Sequence, residues 1–192
     1  MKDLTPSLGA QLSPLLLTPE QAASLDVHGR TDAAVLVPLF ERGGDLHAVF
    51  TRRRDDLRRH AGEISFPGGR QDPGEDLRHT ALREAHEEIG LDEKFIEPIG
   101  YLDLYLTFSG FRILPLVARV DPDYRLNINP GEVADAFEVP LEFLMAPGNH
   151  QRLKRDWKGI ERQYYAMPFN DRYIWGVTAG ILRNLYERIY AG

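Results

Sequence analysis

The chain of 192 residues contains no cysteine. Disulfide bridges and thiolate zinc sites are therefore excluded, and the absence fits a cytoplasmic protein, which is the location expected here. Long apolar runs are missing too. Leu15-Leu16-Leu17 is the longest near the start, far short of a membrane span. The opening Met1-Lys2-Asp3-Leu4 lacks the charged-then-apolar layout of a secretory signal. Positive charge is in deficit: 23 Lys and Arg stand against 29 Asp and Glu, for a net charge of −6. That balance argues against a protein that binds nucleic acid by bulk electrostatics. Neither a membrane nor a nucleic-acid partner is expected, and oligomeric state is not legible. No internal repeat, low-complexity tract or clear linker interrupts the chain. The expectation is one domain over residues 1–192, with a core from about 30 to 190 and an N-terminal extension, 1–29, carrying a short helix.

What is present has the layout of a layered α+β domain. Thr18-Pro19-Glu20-Gln21 carries the signature of a capped helix start, with Thr18 as cap and Pro19 in the first turn. Residues 32–41 and 46–51 read as strands around a Gly43-Gly44-Asp45 turn, and 62–66 as a short strand. A helix is expected over about 75–89, strands near 96–105 and 111–120, and a loop from Asn127 to Gly131. Pro115 suggests that the second of those strands is an edge or carries a bulge. A short helix opens at Pro140-Leu141-Glu142, a hairpin pairs 149–157 with 161–167, and a helix over 175–190 closes the chain with Ile181, Leu182, Leu185 and Ile189 inward.

The informative stretch is Gly69 to Leu91, GRQDPGEDLRHTALREAHEEIGL. At about 100° per residue, Glu84, Glu87 and Glu88 fall within roughly one third of a helix circumference. Leu82, Ala85 and Ile89 gather on another arc and can face a core. Crowded carboxylates need a counter-charge, so such a helix is a platform for hard divalent cations. A solvated acidic face is the ordinary alternative. The surroundings weigh against it: Phe66-Pro67-Gly68-Gly69 reads as a turn with Gly68 free to take positive φ, and Gly90 supplies a helix stop.

Gly69, Glu75, Arg83, Glu84, Glu87, Glu88 and Gly90 stand at the spacing of the Nudix box, and this segment resembles it at all seven positions. Ala85 replaces a usually bulkier aliphatic residue, which touches packing and not chemistry. The resemblance implies an α/β/α sandwich with a mixed sheet and hydrolysis of a diphosphate linked to another moiety. It also implies Mg²⁺ or Mn²⁺ held by Glu84, Glu87 and Glu88, with Glu84 and Glu88, one helical turn apart, as the firmest ligands. Arg83 then orients those ligands by pairing with Glu75 or a box glutamate. Two residues stand for the general base. Glu84 is one; the other is Glu132, on a loop able to close over substrate. His79 and His86 read as surface or packing histidines.

The preceding stretch, Val49 to Gly69, resembles the signature of the coenzyme A diphosphatases within that family. Thr51, Arg53, Arg58, Gly62 and Phe66 to Gly69 match; Arg54 departs, standing where a small residue is usual. Tyr173 to Gly180 also looks like that subfamily. A small-molecule diphosphate, coenzyme A or a derivative, is thus the expected partner. Arg53, Arg58, Gly68 and Gly69 are its expected contacts, since guanidinium groups recognise phosphate in bidentate fashion. Arg52 and Arg59 read as solvated surface charge. Two other readings stand beside this one: a Nudix enzyme acting on ADP-ribose or a nucleoside triphosphate, and a Nudix-like binding module without turnover.

Overall fold

Strand β1 (Thr31–Arg42) is buried on both faces, which is why it reads as a nearly continuous apolar run. Ala34, Leu36 and Phe40 face one core, and Val37 and Leu39 face the other. The computed structural model describes residues 12–25, 31–58, 60–157 and 159–190. Before β1 comes helix α1 (Pro19–Ala23), whose Thr18 and Gln21 form the reciprocal cap expected from the sequence. After β1 follow β2 (Asp45–Arg53), β3 (Ile64–Ser65), β4 (Gly68–Arg70), α2 (Leu77–Ile89), β5 (Ile96–Tyr101), β6 (Tyr105–Leu106), β7 (Phe111–Val120) and β8 (Val133–Pro140). The chain continues through α3 (Leu141–Met145), β9 (Gln151–Trp157), β10 (Ile160–Phe169), β11 (Arg172–Trp175) and α4 (Gly176–Tyr190).

The main sheet is mixed, β1 running parallel to β7 while its other pairs are antiparallel. On one side α2 lays Ala81, Leu82, Ala85 and Ile89 on it; on the other α4 packs Ile181, Leu182 and Leu185 against Phe50, Phe66 and Met167. This is the expected α/β/α layering. β9, β10 and β11 form a second, three-stranded sheet beside α4.

One irregularity makes room for a site. β1 and β2 pair only near their turn, Leu39–Arg42 with Asp45–Ala48, and then part. β3 fills the gap on the β2 side (Thr51 opposite Ser65), and β4 fills it on the β1 side (Ala34 opposite Gly69). The Phe66 to Gly69 segment therefore runs between splayed strands, under α2. Gly68 and Gly69 lie in strand β4, and neither has the positive φ anticipated for Gly68. Glycine is required there by close approach. A Cβ on Gly68 would stand 2.6 Å from the Val35 Cα, inside backbone.

Pro115 is a second departure, because β7 is internal, between β1 and β5. The Pro115 carbonyl points to the β5 side, where it accepts the Leu102 N–H at 3.0 Å. The donor that proline lacks falls on that same side, in the gap between the end of β5 (Tyr101 opposite Leu116) and the start of β6 (Tyr105 opposite Ile113). Among the described residues no strand stands there to miss it.

Candidate active site

α2 starts where Asp76 accepts the His79 N–H at 2.7 Å and stops at Gly90, which is left-handed at φ 66. Its acidic residues do not share one environment. The Glu87 side chain is 54% exposed, Glu84 15% and Glu88 4%, so the stripe turns from solvent into the interior. Arg83 binds the outer part. Its Nε donates to Glu75 at 2.7 Å, its Nη1 to Glu84 and Glu87 at 3.0 Å each, and its Nη2 to the Arg70 carbonyl at 3.1 Å. Glu75 also accepts the Thr80 hydroxyl at 2.8 Å. The Arg83 guanidinium, with help from Thr80, holds the Glu75 carboxyl at about 2.

The inner part is assembled from the sheet. Glu88 accepts the Gly68 N–H at 3.3 Å and lies 3.8 Å from Arg53 Nη1. Burial pushes its carboxyl up to about 8, and the neighbouring charges of Glu84 and Glu132 add to this. Burial likewise raises Glu84, with Glu87 and Glu132 contributing. Gly69 passes directly beneath Glu84: a Cβ there would stand 2.5 Å from the Glu84 Cδ. Glu132 reaches this neighbourhood because its loop is sewn to the end of α2. The Asn127 N–H donates to the Ile89 carbonyl at 2.8 Å and the Asn129 N–H to the Glu88 carbonyl at 2.9 Å.

The structure thus brings together Arg53, Gly68, Gly69, Arg83, Glu84, Glu87, Glu88 and, through its field, Glu132. Arg58 is exposed on the loop after β2 and makes no hydrogen bond or ion pair among the described residues. Arg52 pairs with Asp55, as surface charge, and Arg59 lies outside the described residues. His79 sits 3.7 Å from Glu75 and is 67% exposed. Two contributions were not foreseen. Arg54 bonds Asp56 and donates to the Pro130 carbonyl at 2.6 Å, bracing the Glu132 loop. Thr80, wholly buried, positions Glu75. A polar residue on the buried arc of an amphipathic helix was the available signal for Thr80. Beside Arg83 opens a cleft of about 600 Å³ lined by Thr31, Asp32 and Arg70 to Gly74.

The NUDIX domain family model matches residues 30–158. The chain is 36% identical over 158 residues to the uncharacterized Nudix hydrolase NudL of Yersinia pestis, covering 82% of this chain and 79% of that one. Among solved structures it resembles DR0079 of Deinococcus radiodurans (TM-score 0.56, 15% identity, covering 89% of this chain and 97% of that one). It also resembles a Nudix hydrolase of Nitrosomonas europaea (TM-score 0.51, 16% identity, covering 85% and 72%). The chain belongs to the Nudix hydrolases, enzymes that act on pyrophosphate bonds. Nudix hydrolases generally need divalent cations such as Mg²⁺ or Mn²⁺. The donors here fit: an all-oxygen set of crowded carboxylates whose ionised forms burial and mutual repulsion penalise, so that a bound cation would favour them. Among the described residues no three acidic or histidine groups stand as a closed ligand set, and Arg53 and Arg83 hold the carboxylates instead. No described helix is long and apolar enough to cross a membrane.

The raised Glu88 carboxyl has a thermodynamic consequence. Between its ordinary value of 4.5 and about 8, the folded chain binds a proton that the unfolded chain has released. Metal-free protein should therefore lose stability as pH rises through that window, by at most about 1.4 kcal/mol per pH unit. Thermal midpoints in chelator at pH 5.5, 7 and 8.5 should fall in that order. The slope should flatten in Glu88→Gln, and Mg²⁺ should raise the midpoint more at pH 8.5 than at 5.5. A midpoint that does not move over this range in the parent protein would contradict the assignment. Glu75 acts in a separate window, its stabilisation being lost only below 4.5.

Proposed function

We propose that the protein hydrolyses the diphosphate bond of coenzyme A or its derivatives, releasing 3′,5′-ADP and 4′-phosphopantetheine or its acylated form. The observation that carries this reading is the arginine arrangement at the end of β2. Arg53 is placed beside the carboxylates with a buried Nε that has no acceptor, and Arg58 stands exposed and unpaired among the described residues on the loop that follows. Coenzyme A carries a 3′-phosphate besides its diphosphate, and two guanidinium groups that make no side-chain hydrogen bond among the described residues match two phosphate sites.

In this reading Glu84, Glu87 and Glu88 would hold Mg²⁺ or Mn²⁺, which when bound would supply charge neutralisation of the diphosphate and polarisation of water. Arg83 keeps Glu84 and Glu87 turned to their task by binding both from one guanidinium. The Gly68 N–H orients Glu88, and Gly69 leaves the Glu84 carboxylate its space. Glu132 takes the proton from the attacking water: it is exposed, on a braced loop, and near enough to raise both Glu84 and Glu88. Glu84 is the other group placed for that step. A binding module without turnover fits poorly, because crowded buried acids are costly to keep without a counter-ion.

The test compares coenzyme A with its 3′-dephospho form in Mg²⁺ or Mn²⁺, with products identified by mass. Loss of the 3′-phosphate should lower kcat/KM by about 10- to 100-fold, the worth of one charge-assisted hydrogen-bonded contact, and Arg58→Ala should narrow that ratio. Chelation should stop both reactions. Equal rates on the two substrates would remove the 3′-phosphate from the recognition. Turnover of ADP-ribose or a nucleoside triphosphate in place of coenzyme A would keep the acidic helix and discard the reading of Thr51 to Phe66.

A further inference from the structure

The two arginines of the site are committed to very different degrees. Arg83 spends Nε, Nη1 and Nη2 on Glu75, Glu84, Glu87 and the Arg70 carbonyl. Arg53 makes no hydrogen bond through its buried Nε, and its Nη1 lies 3.8 Å from Glu88 Oε1, beyond hydrogen-bond reach. It attends Glu88 by charge alone. Yet ionised Glu88 needs that charge, since its side chain is 4% exposed and the Gly68 N–H, at 3.3 Å, is its one hydrogen-bond donor among the described residues. The Arg53 backbone is fixed: its N–H donates to the Glu63 carbonyl at 2.9 Å and it pairs with Val133 at a bulge that ends β2. Only the side chain is left to move.

We propose that Arg53 is a place-holding cation. In the metal-free protein it is the counter-charge of Glu88 whenever that carboxylate is ionised; when a divalent cation takes Glu88, Arg53 is released and turns its Nε–Nη edge to a phosphate oxygen of the substrate. Two cations cannot both sit against one buried carboxylate without repelling each other, and the uncommitted edge of Arg53 is the bidentate face that recognises phosphate. The release step concerns metal and protein only. The capture step rests on the diphosphate reading above. The exchange makes the phosphate-binding arginine available only once the metal has arrived, so binding follows the order in which the chemistry needs its parts.

The experiment is calorimetric titration of the substrate-free protein with Mn²⁺ at pH 8.5, above the range in which Glu88 holds its proton, for the parent, Arg53→Met and Arg53→Lys. Arg53→Met keeps the apolar stem and removes the competing charge, so it should bind Mn²⁺ about tenfold more tightly. Arg53→Lys keeps the charge and loses the fork, so its Mn²⁺ affinity should stay within about twofold of the parent. Both variants should raise KM for whichever diphosphate the enzyme turns over, with kcat less affected. Unchanged or weaker Mn²⁺ binding in Arg53→Met overturns the proposal, because losing a cation that competes for Glu88 must improve metal affinity. If Arg53→Met does not fold, a Lys variant whose Mn²⁺ affinity departs from the parent by more than threefold overturns it equally. Tighter Mn²⁺ binding with unchanged KM overturns the capture step. A failure to cleave coenzyme A leaves the titration, which contains no substrate, to decide release by itself.

Discussion

Glu84→Gln and Glu88→Gln are each expected to lower kcat by at least about 100-fold while the protein stays folded. Removing a group that merely orients a metal ligand typically costs about 10- to 100-fold, and removing a ligand should lie at or beyond that range. Gln preserves the shape of each side chain, so packing on α2 should survive. Glu88→Gln should even match or exceed the parent in chelator at pH 8, since the buried carboxylate that burial penalises is gone. Mn²⁺ affinity, measured by titration, should fall with the activity. Glu132→Gln supplies the contrast: as the base it should lose turnover while binding Mn²⁺ like the parent. If Glu132→Gln stays within a fewfold of the parent, the proton goes to Glu84 instead. If Glu84→Gln and Glu88→Gln both retain full metal-dependent turnover, the mechanism is wrong.

The second large effect separates two adjacent glycines. A Cβ on Gly69 meets the end of a flexible carboxylate, Glu84 Cδ at 2.5 Å and Oε2 at 2.7 Å. Glu84 can swing aside at small energetic cost, but it then leaves its place beside Arg83. Gly69→Ala should therefore lower kcat/KM by about 10- to 100-fold with an almost unchanged melting temperature. A Cβ on Gly68 meets backbone instead, the Ala34 carbonyl and the Val35 Cα at 2.6 Å, which cannot swing. Gly68→Ala should destabilise by about 1–3 kcal/mol or more, because β4 is forced away from β1. Thermal melts and kinetics on the two single variants separate the effects. Two variants that lose activity and stability in parallel would show that Glu84 does not own the space above Gly69.

Local signals carried far in this chain where the cause is local. The Thr18 cap, the left-handed Gly90, the core arc of Leu82, Ala85 and Ile89 and the final helix all follow from capping chemistry and helical periodicity, and all are found. Arg83 and the three glutamates were legible because residues one turn apart on a helix share a face whatever surrounds them. Pro115 and Gly68 were misjudged because their neighbours are remote in sequence. The gap between β5 and β6 that accommodates Pro115, and the β1 backbone that presses on Gly68, exist only once the strands are assembled.

By itself, then, the sequence determined the α+β layering, the acidic helix and its stop, and the family to which the chain belongs, since each depends on short-range spacing. Tertiary structure alone decided how that helix is used. Splaying β1 from β2 carries the Gly68 N–H to Glu88, rotation of α2 against the sheet buries Glu88 while leaving Glu87 in water, and the loop sewn to Ile89 and Glu88 brings Glu132 close. Burial and long-range charge set the carboxyl at about 8 and leave Arg53 half-committed beside it. Neither is a property of spacing: both arise from what the folded sheet excludes from water around residues up to dozens of positions apart.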